Sequence, residues 1–368
     1  MKICAIVGNR PQFIKLAPVS EALKEAGIEE VLVHTGQHYD ANLSDVFFKD
    51  LQLPTPHYSL GVKSSLHGDM TGMILKGIEE ILIKETPDCV LVYGDTNSTL
   101  AGALAAVKLK IPIAHVEAGV RIGNVHAPEE ANRVMVSHIA QLHFCCTLRG
   151  VQSLAQENIT KGVFLTGDTM LDAFLQFSEL AQEKSSFLAD HALLNKAIVL
   201  ATFHRPENVD SEEGIKAILG IFDKVDPNIT IIFPLHPRTK ASFHKHNLLE
   251  TLYSKKNVCV VPPISYLDVL AILQNVQYVL TDSGGLQREA FFAGKFNVFF
   301  FNEPCWQEIE ESGWQKRYDC LNQKTIQALD LEGIPNKHEK SSLEARKAFG
   351  DGHAAKKIAA ILKSPFAS

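Results

Sequence analysis

The sequence predicts an α/β protein built as two Rossmann-like domains, and three observations carry that expectation. Cys89–Tyr93 and residues 111–116 are continuous apolar runs of strand length, the pattern of strands buried on both faces of a parallel sheet. Between them residues 98–109 are rich in Ala and Leu, with Thr96, Asn97 or Ser98 available as N-cap, which completes a βαβ unit. The same alternation of short apolar strand and helix returns in the second half without obvious sequence repetition, and 368 residues exceed one ordinary core.

Taken in order, residues 3–7 form a first strand, Gly8-Asn9-Arg10-Pro11 the turn after it, and residues 11–26 a helix with apolar spacing. Residues 31–34 are the second strand, followed by the polar turn Thr35-Gly36-Gln37-His38-Tyr39, and residues 69–85 a further helix. After the βαβ unit an irregular loop, 121–128, delivers Pro128 to the first turn of a helix. Residues 142–146 and 162–165 close this half, and a helix opens after Gly167-Asp168-Thr169. The polar stretch 182–196 is the expected linker. Beyond it strands fall at 197–202, 229–234, Val258–Val261, Tyr278–Thr281 and 297–301, with helices at Glu212–Asp223, 266–274 and 285–293. We therefore expect an N-terminal domain over 1–181, a C-terminal domain over 182–350, and a closing helix in 351–368 that clasps the lobes.

Composition excludes several classes. A formal net charge of −6 implies no general nucleic-acid surface, and no apolar run approaches the ~20 residues that span a bilayer. MKICAIVGNRP leads straight into a strand without a signal-peptide apolar region, so a cytoplasmic protein is expected. The seven cysteines lack metal-ligand spacing, and Cys145-Cys146 is not a C-x-x-C redox pair. The first turn is not G-x-G-x-x-G, so no nicotinamide cofactor is indicated.

The chemistry-bearing residues gather after strands, where doubly wound sheets bind their ligands. Gly94-Asp95 and Glu117-Ala118-Gly119 bring two carboxylates to one rim, although Asp95 also suits a helix cap. Arg10 and Lys15 fit an anion at a helix N-terminus, or two solvated cations on a first helix. Glu129 and Arg133, at i, i+4, fit either a surface ion pair or a carboxylate held by a cation. In the second half His204-Arg205-Pro206-Glu207, His236-Pro237-Arg238 and Asp282-Ser283-Gly284-Gly285 follow strands. Ser283-Gly284-Gly285 also opens a helix, so its free N–H groups suit a diphosphate, while a tight turn explains it equally well. An acid-rich rim and a cationic, phosphate-binding rim facing each other across a cleft suit a nucleotide-linked substrate, with acid–base work on the attached group.

GNRPQFIKLAP, QHYD, GDTNSTLAGALAA, HVEAGVR, PEEANR, FHRPEN, HPRTK, TDSGGLQREA and FGDG, in order along nearly the whole chain, resemble the UDP-N-acetylglucosamine 2-epimerase family. The resemblance implies a GT-B fold and C2 inversion of a UDP-linked 2-acetamido sugar through a 2-acetamidoglucal, for surface-polysaccharide precursors. It further implies no metal or redox cofactor, and a homodimer is the expected assembly. Position by position it assigns Asp95, Glu117 and Glu129 as catalytic carboxylates with Arg133 beside them, and His204 as the histidine of the H-R-x-E-N motif. It places Arg10, Lys15, His204, Ser283, Gly284, Gly285 and Glu289 around UDP, and the same rim adds Arg205, Glu207 and His236. Gln12, Arg288 and the segment 302–308 depart from the family pattern, and the loop before Pro128 is short. These departures direct the expectation towards a modified sugar such as UDP-2,3-diacetamido-2,3-dideoxyglucuronate, with Arg288 either a cation for a C6 carboxylate or the partner of a nearby acid on its own helix. A hydrolysing 2-epimerase and a GT-B glycosyltransferase are the competing readings.

Overall fold

The computed structural model describes residues 1–36, 51–64, 66–303, 306–331, 333–334 and 339–363. The chain divides into two compact units, Met1–Gln176 with Ala348–Ser368, and Phe177–Lys347. Sequence placed the first boundary at 181/182 and the second at 350/351. Because the helix over Thr169–Lys184 runs through the junction, the linker composition that follows it does not mark the boundary.

In the first unit seven parallel strands lie in the order β3-β2-β1-β4-β5-β6-β7. They are β1 Lys2–Val7, β2 Glu29–His34, β3 Tyr58–Ser59, β4 Cys89–Tyr93, β5 Ile113–Val116, β6 Leu142–Cys145 and β7 Val163–Leu165. The described helices that connect them are α1 Arg10–Glu25, α2 His67–Glu85, α3 Asn97–Lys108, α4 Pro128–Ile139 and α5 Leu148–Gln156, with α6 Thr169–Lys184 leaving the sheet. β4 reads CVLVY and is buried along its whole length because α-helices cover both faces of a parallel sheet. One apolar layer joins Ile6, Val33, Val90 and Val92 to Ile74, Ile78 and Leu82 of α2 and Ala101 and Ala105 of α3. The small residues of α3 let it approach the strands closely. The closing helix Ala354–Lys363 belongs to this unit: it packs on α1, and the Ala355 N–H donates to Asp172 at 2.7 Å.

The second unit carries six parallel strands ordered β10-β9-β8-β11-β12-β13, the arrangement of a dinucleotide-type doubly wound sheet. They are β8 Ile198–Thr202, β9 Thr230–Pro234, β10 Val258–Val261, β11 Tyr278–Thr281, β12 Phe296–Phe299 and β13 Gln315–Arg317. The helices that bear on the site are α7 Pro206–Val209, α8 Glu212–Asp223, α9 Pro237–Lys245, α10 Tyr266–Asn275 and α11 Gly284–Phe292. Phe203, at the end of β8, packs its ring 5.2 Å from Phe300 and joins Phe222 and Phe233 in the core. That packing fixes the backbone from which the next residue, His204, departs.

In each sheet the strand order reverses beside the first strand, between β1 and β4 and between β8 and β11. Loops on either side of such a switch point diverge and leave a crevice at the carboxyl ends. Arg10, Asp95, His204 and Ser283 follow the four strands that flank these switch points, whereas Glu117 follows β5, Glu129 and Arg133 lie on α4, and His236 follows β9. The expected turn at Gln37, His38 and Tyr39 and the QHYD motif fall outside the described residues, as do Pro304 and Cys305.

Candidate active site

The acid rim of the first unit is built on one buried ion pair. Lys15, on the second turn of α1, and Glu117, just past β5, lie 2.7 Å apart between Nζ and Oε2, with relative exposures of 3% and 8%. A lysine with no room to solvate its ammonium needs a carboxylate there, and the sequence reading of Lys15 as an anion binder gives way to this pairing. Glu117 holds a left-handed backbone at φ +68°, stabilised by its own N–H and that of Ala118, which both donate to the Phe144 carbonyl at 3.0 and 3.1 Å. Such a conformation costs of order 1–3 kcal/mol for a non-glycine residue and marks functional geometry when the surroundings hold it.

Gly94 completes the corner. Its φ is +63°, left-handed backbone that favours glycine, and the ideal Cβ position there lies in ordinary contact distance of the pair, 3.4 Å from Lys15 Nζ and 3.7 Å from Glu117 Oε1. Asp95 then points its carboxylate at Arg133 in an ion pair, while its carbonyl accepts from Asn132 Nδ2 at 2.8 Å. The cap of α3 is Thr96, which accepts from the Thr99 N–H, so Asp95 is not used as the helix cap. Gln12 ties the knot behind the rim. It accepts from the Gly8 N–H at 2.6 Å and donates to the Tyr93 carbonyl at 2.7 Å and to Thr96 and Thr99 Oγ1, both at 3.0 Å. The departure at Gln12 therefore places a neutral hydrogen-bonding hub beneath the site rather than a further acid.

Arg133 is held by Glu130 at 2.9 Å and not by Glu129, which corrects the i, i+4 pairing expected from sequence. Glu130 is buried because the loop before α4 folds back onto it: the N–H groups of Ile122 and Gly123 donate to its carboxylate at 3.1 and 3.0 Å. Glu129, one position earlier, is exposed at the helix start. The structure thus unites Lys15, Glu117, Asp95 and Arg133 and leaves Glu129 on the outer face of the first turn of α4. Arg10 is half-buried at the start of α1, next to Asn9, whose side chain caps that helix.

In the second unit the organiser is Asp282, which the reading of site residues passed over although it closes β11 in the TDSGG motif. It has no exposed surface. Its carboxylate accepts from the N–H of His204 at 3.0 Å, the N–H of Arg205 at 2.9 Å and Asn208 Nδ2 at 3.1 Å, and lies 3.0 Å from His204 Nδ1. Burial presses this carboxyl upward, but the His204 charge and the hydrogen bonds from His204, Arg205 and Asn208 outweigh it and hold it below the usual carboxylate range. His204 is therefore locked through Nδ1, with Nε2 left for a ligand. Arg205 donates Nε–H to the Asp282 carbonyl at 2.6 Å and lays its guanidinium over the Phe301 ring at 3.6 Å. His236 caps α9 by accepting from the Arg238 N–H at 3.2 Å, which sets its proton on Nε2, and its ring centre is 5.6 Å from that of His204.

Ser283 caps α11, accepting from the Leu286 N–H at 3.3 Å, and Gly284 and Gly285 follow as the first two helical residues, half-exposed. A helix N-terminus with two side-chain-free positions is an anion site. Glu289 lies one turn further on and is 5% exposed, whereas Glu207 is exposed on α7 and Arg238 is engaged by Asp210 at 2.7 Å. Arg288 is 3% exposed and stacks its guanidinium 4.0 Å from the Trp306 ring centre, so it is buried inside this unit. That placement removes the structural ground for Arg288 as the cation facing a sugar carboxylate.

Among the described residues Glu117, Cys146 and Asp168 bring one potential ligand atom each within 4.8 Å of one another. The ammonium of Lys15 already compensates Glu117 there.

The two-unit α/β architecture is the GT-B fold. A family model described as UDP-N-acetylglucosamine 2-epimerase matches residues 21–363. The chain is 42% identical to a UDP-N-acetylglucosamine 2-epimerase homolog of Methanococcus maripaludis, over 99% of this chain and all of that one. It is 38% identical to the UDP-2,3-diacetamido-2,3-dideoxy-D-glucuronate 2-epimerase of Pseudomonas aeruginosa, over 98% of this chain and 99% of that one. The crystal structure of Methanocaldococcus jannaschii UDP-GlcNAc 2-epimerase in complex with UDP-GlcNAc and UDP superposes with a TM-score of 0.89 at 38% identity, covering 99% of each chain. The chain belongs to the UDP-N-acetylglucosamine 2-epimerase family.

Proposed function

We propose that the protein inverts C2 of a UDP-linked 2-acetamido sugar by eliminating UDP and adding it back. The observation that carries the reading is the buried Lys15–Glu117 pair set against Gly94-Asp95 and Arg133. One carboxylate of this rim removes the C2 proton as the C1–O bond breaks, and the electron pair leaves with the β-phosphate oxygen. The products are UDP and a 2-acetamidoglucal. A second carboxylic acid then delivers a proton to the opposite face of C2 while the same phosphate oxygen re-forms the bond to C1. A C2–H is a weak acid, so the base has to act in a desolvated site, and the burial around Glu117 supplies one. In the second unit His204, Arg205 and the N–H groups of Gly284 and Gly285 neutralise the departing diphosphate.

Relatives acting on UDP-GlcNAc and on the diacetamido uronate are equally similar, at 38% identity. With Arg288 buried against Trp306, UDP-N-acetylglucosamine is the substrate we assign first. A cytoplasmic homodimer is the state we propose for the working enzyme. Among the described residues no helix is long and apolar enough to cross a membrane.

The roles are tested by Asp95→Asn and Glu117→Gln. Asp95→Asn should stay folded and keep its stabilisation by UDP while losing at least ~10²-fold in epimerisation rate, the scale of a general acid or base. Glu117→Gln, which leaves Lys15 buried without its partner, should melt earlier and lose as much rate in the fraction that folds. Normal specific activity in the folded fraction would reduce the residue to a structural role. Product analysis separates the hydrolysing alternative, which releases free sugar and UDP.

A further inference from the structure

Gly94 is the hinge of the acid rim, and its peptide is clamped from one neighbouring strand by two bonds. Its N–H donates to the Val116 carbonyl at 3.0 Å. Its carbonyl lies 2.7 Å from Nε2 of His115, the residue before Val116 on β5. A carbonyl only accepts, so the imidazole carries its proton on Nε2. His115 is 1% exposed, and its Nδ1 has no hydrogen-bond partner among the described residues. Burial drives this ring down to about 4, with the nearby Arg121 and His143 also opposing a positive charge, so the neutral donor form persists at working pH. None of the assigned roles uses this side chain.

Resting on the site reading above, we infer that His115 is a positioning residue that sets Asp95 against the Lys15–Glu117 pair. The chain of contacts is short. The imidazole fixes the Gly94 carbonyl, the glycine lies alongside Lys15 Nζ and Glu117 Oε1, and the next residue is Asp95. Without the donor the Gly94 carbonyl would be left buried and unsatisfied, and the turn would rotate to find another partner. The displacement falls on the angle between two carboxylates that work on one carbon, not on the nucleotide turn in the second unit. Rate should therefore suffer while affinity does not.

The test compares His115→Phe, which fills the space without a donor, with His115→Gln, whose amide nitrogen reaches the Nε2 position. The expected result for Phe is a kcat reduced at least ~10-fold, as for a misplaced catalytic group, with KM and UDP-induced stabilisation unchanged. Gln should recover most of the rate. A folded His115→Phe with unaltered kcat, or a Gln variant no faster than Phe, overturns the inference. If Phe fails to fold, His115→Asn takes its place, since its amide is too short to reach the carbonyl, and equal rates for Asn and Gln also overturn it. Glu117→Gln is run alongside. Full activity there would sink the site reading itself, whereas an inactive Glu117→Gln beside an unaffected His115→Phe would sink only this inference.

Discussion

A carboxylate with no exposed surface that accepts from two backbone N–H groups, an amide and an imidazole is a rigid anchor, and Asp282 is one. Its charge serves His204 first, since hydrogen bonds to charged groups contribute about 1.5–3 kcal/mol each. Asp282→Asn keeps the shape but removes the charge, and should weaken UDP about tenfold through the loss of one such bond. The midpoint of UDP-dependent thermal stabilisation reads this, and an unchanged midpoint would detach Asp282 from nucleotide binding. Legibility in the sequence was uneven at this scale. Asp95, Glu117 and His204 could be picked out because polar groups at strand ends stand against apolar runs, and Lys15 and Arg133 because they lie on helices that start at the same rim. Asp282 was overlooked because the Ser-Gly-Gly beside it drew the phosphate argument. Glu130 lost to Glu129 because i, i+3 and i, i+4 partners are equally plausible until the loop 122–123 chooses between them.

At the level of elements, β4, β10 and β11 were legible to the residue, since each is a short apolar run between polar turns. The edge strands were not. β3 is only Tyr58–Ser59, and β13 reads Gln-Lys-Arg, so neither carries an apolar signal; both exist because a neighbour offers its free edge. Helix ends such as Pro206–Val209 and Pro237–Lys245 were hidden inside stretches read only for their polar side chains. One element carries a testable pH dependence. Glu30 on β2 accepts from Ser20 Oγ of α1 at 2.6 Å, and burial pushes its carboxyl up to about 7 in spite of that bond. The unfolded value is ~4.3. The folded state thus favours the protonated form, and this contribution to stability is present below about pH 4 and is lost as pH rises through 7. Glu30→Gln should leave the melting temperature near wild type at pH 4 and raise it by about 2 °C or more at pH 8. Parallel melting curves for both proteins across that range would reject the assignment.

For the molecule as a whole, we propose that the two sheets divide the labour of one reaction. The first concentrates acids and their cationic partners, and the second offers an anchored histidine and a helix N-terminus for phosphate. The sequence expectation of that division rests on the order of motifs, several of which directly follow a strand. What sequence could not supply was which charges are spent internally. In sequence Arg288 fits either a substrate carboxylate or a local partner, and it is stacked on Trp306; Lys15 fits either an anion or solvent, and it is paired with Glu117. The central claim is that C2–H cleavage accompanies loss of UDP, and turnover of UDP-N-acetylglucosamine in D₂O tests it most directly. The account predicts a UDP-linked C2 epimer carrying deuterium at C2, read by NMR. An epimer formed with its C2 hydrogen fully retained would contradict it.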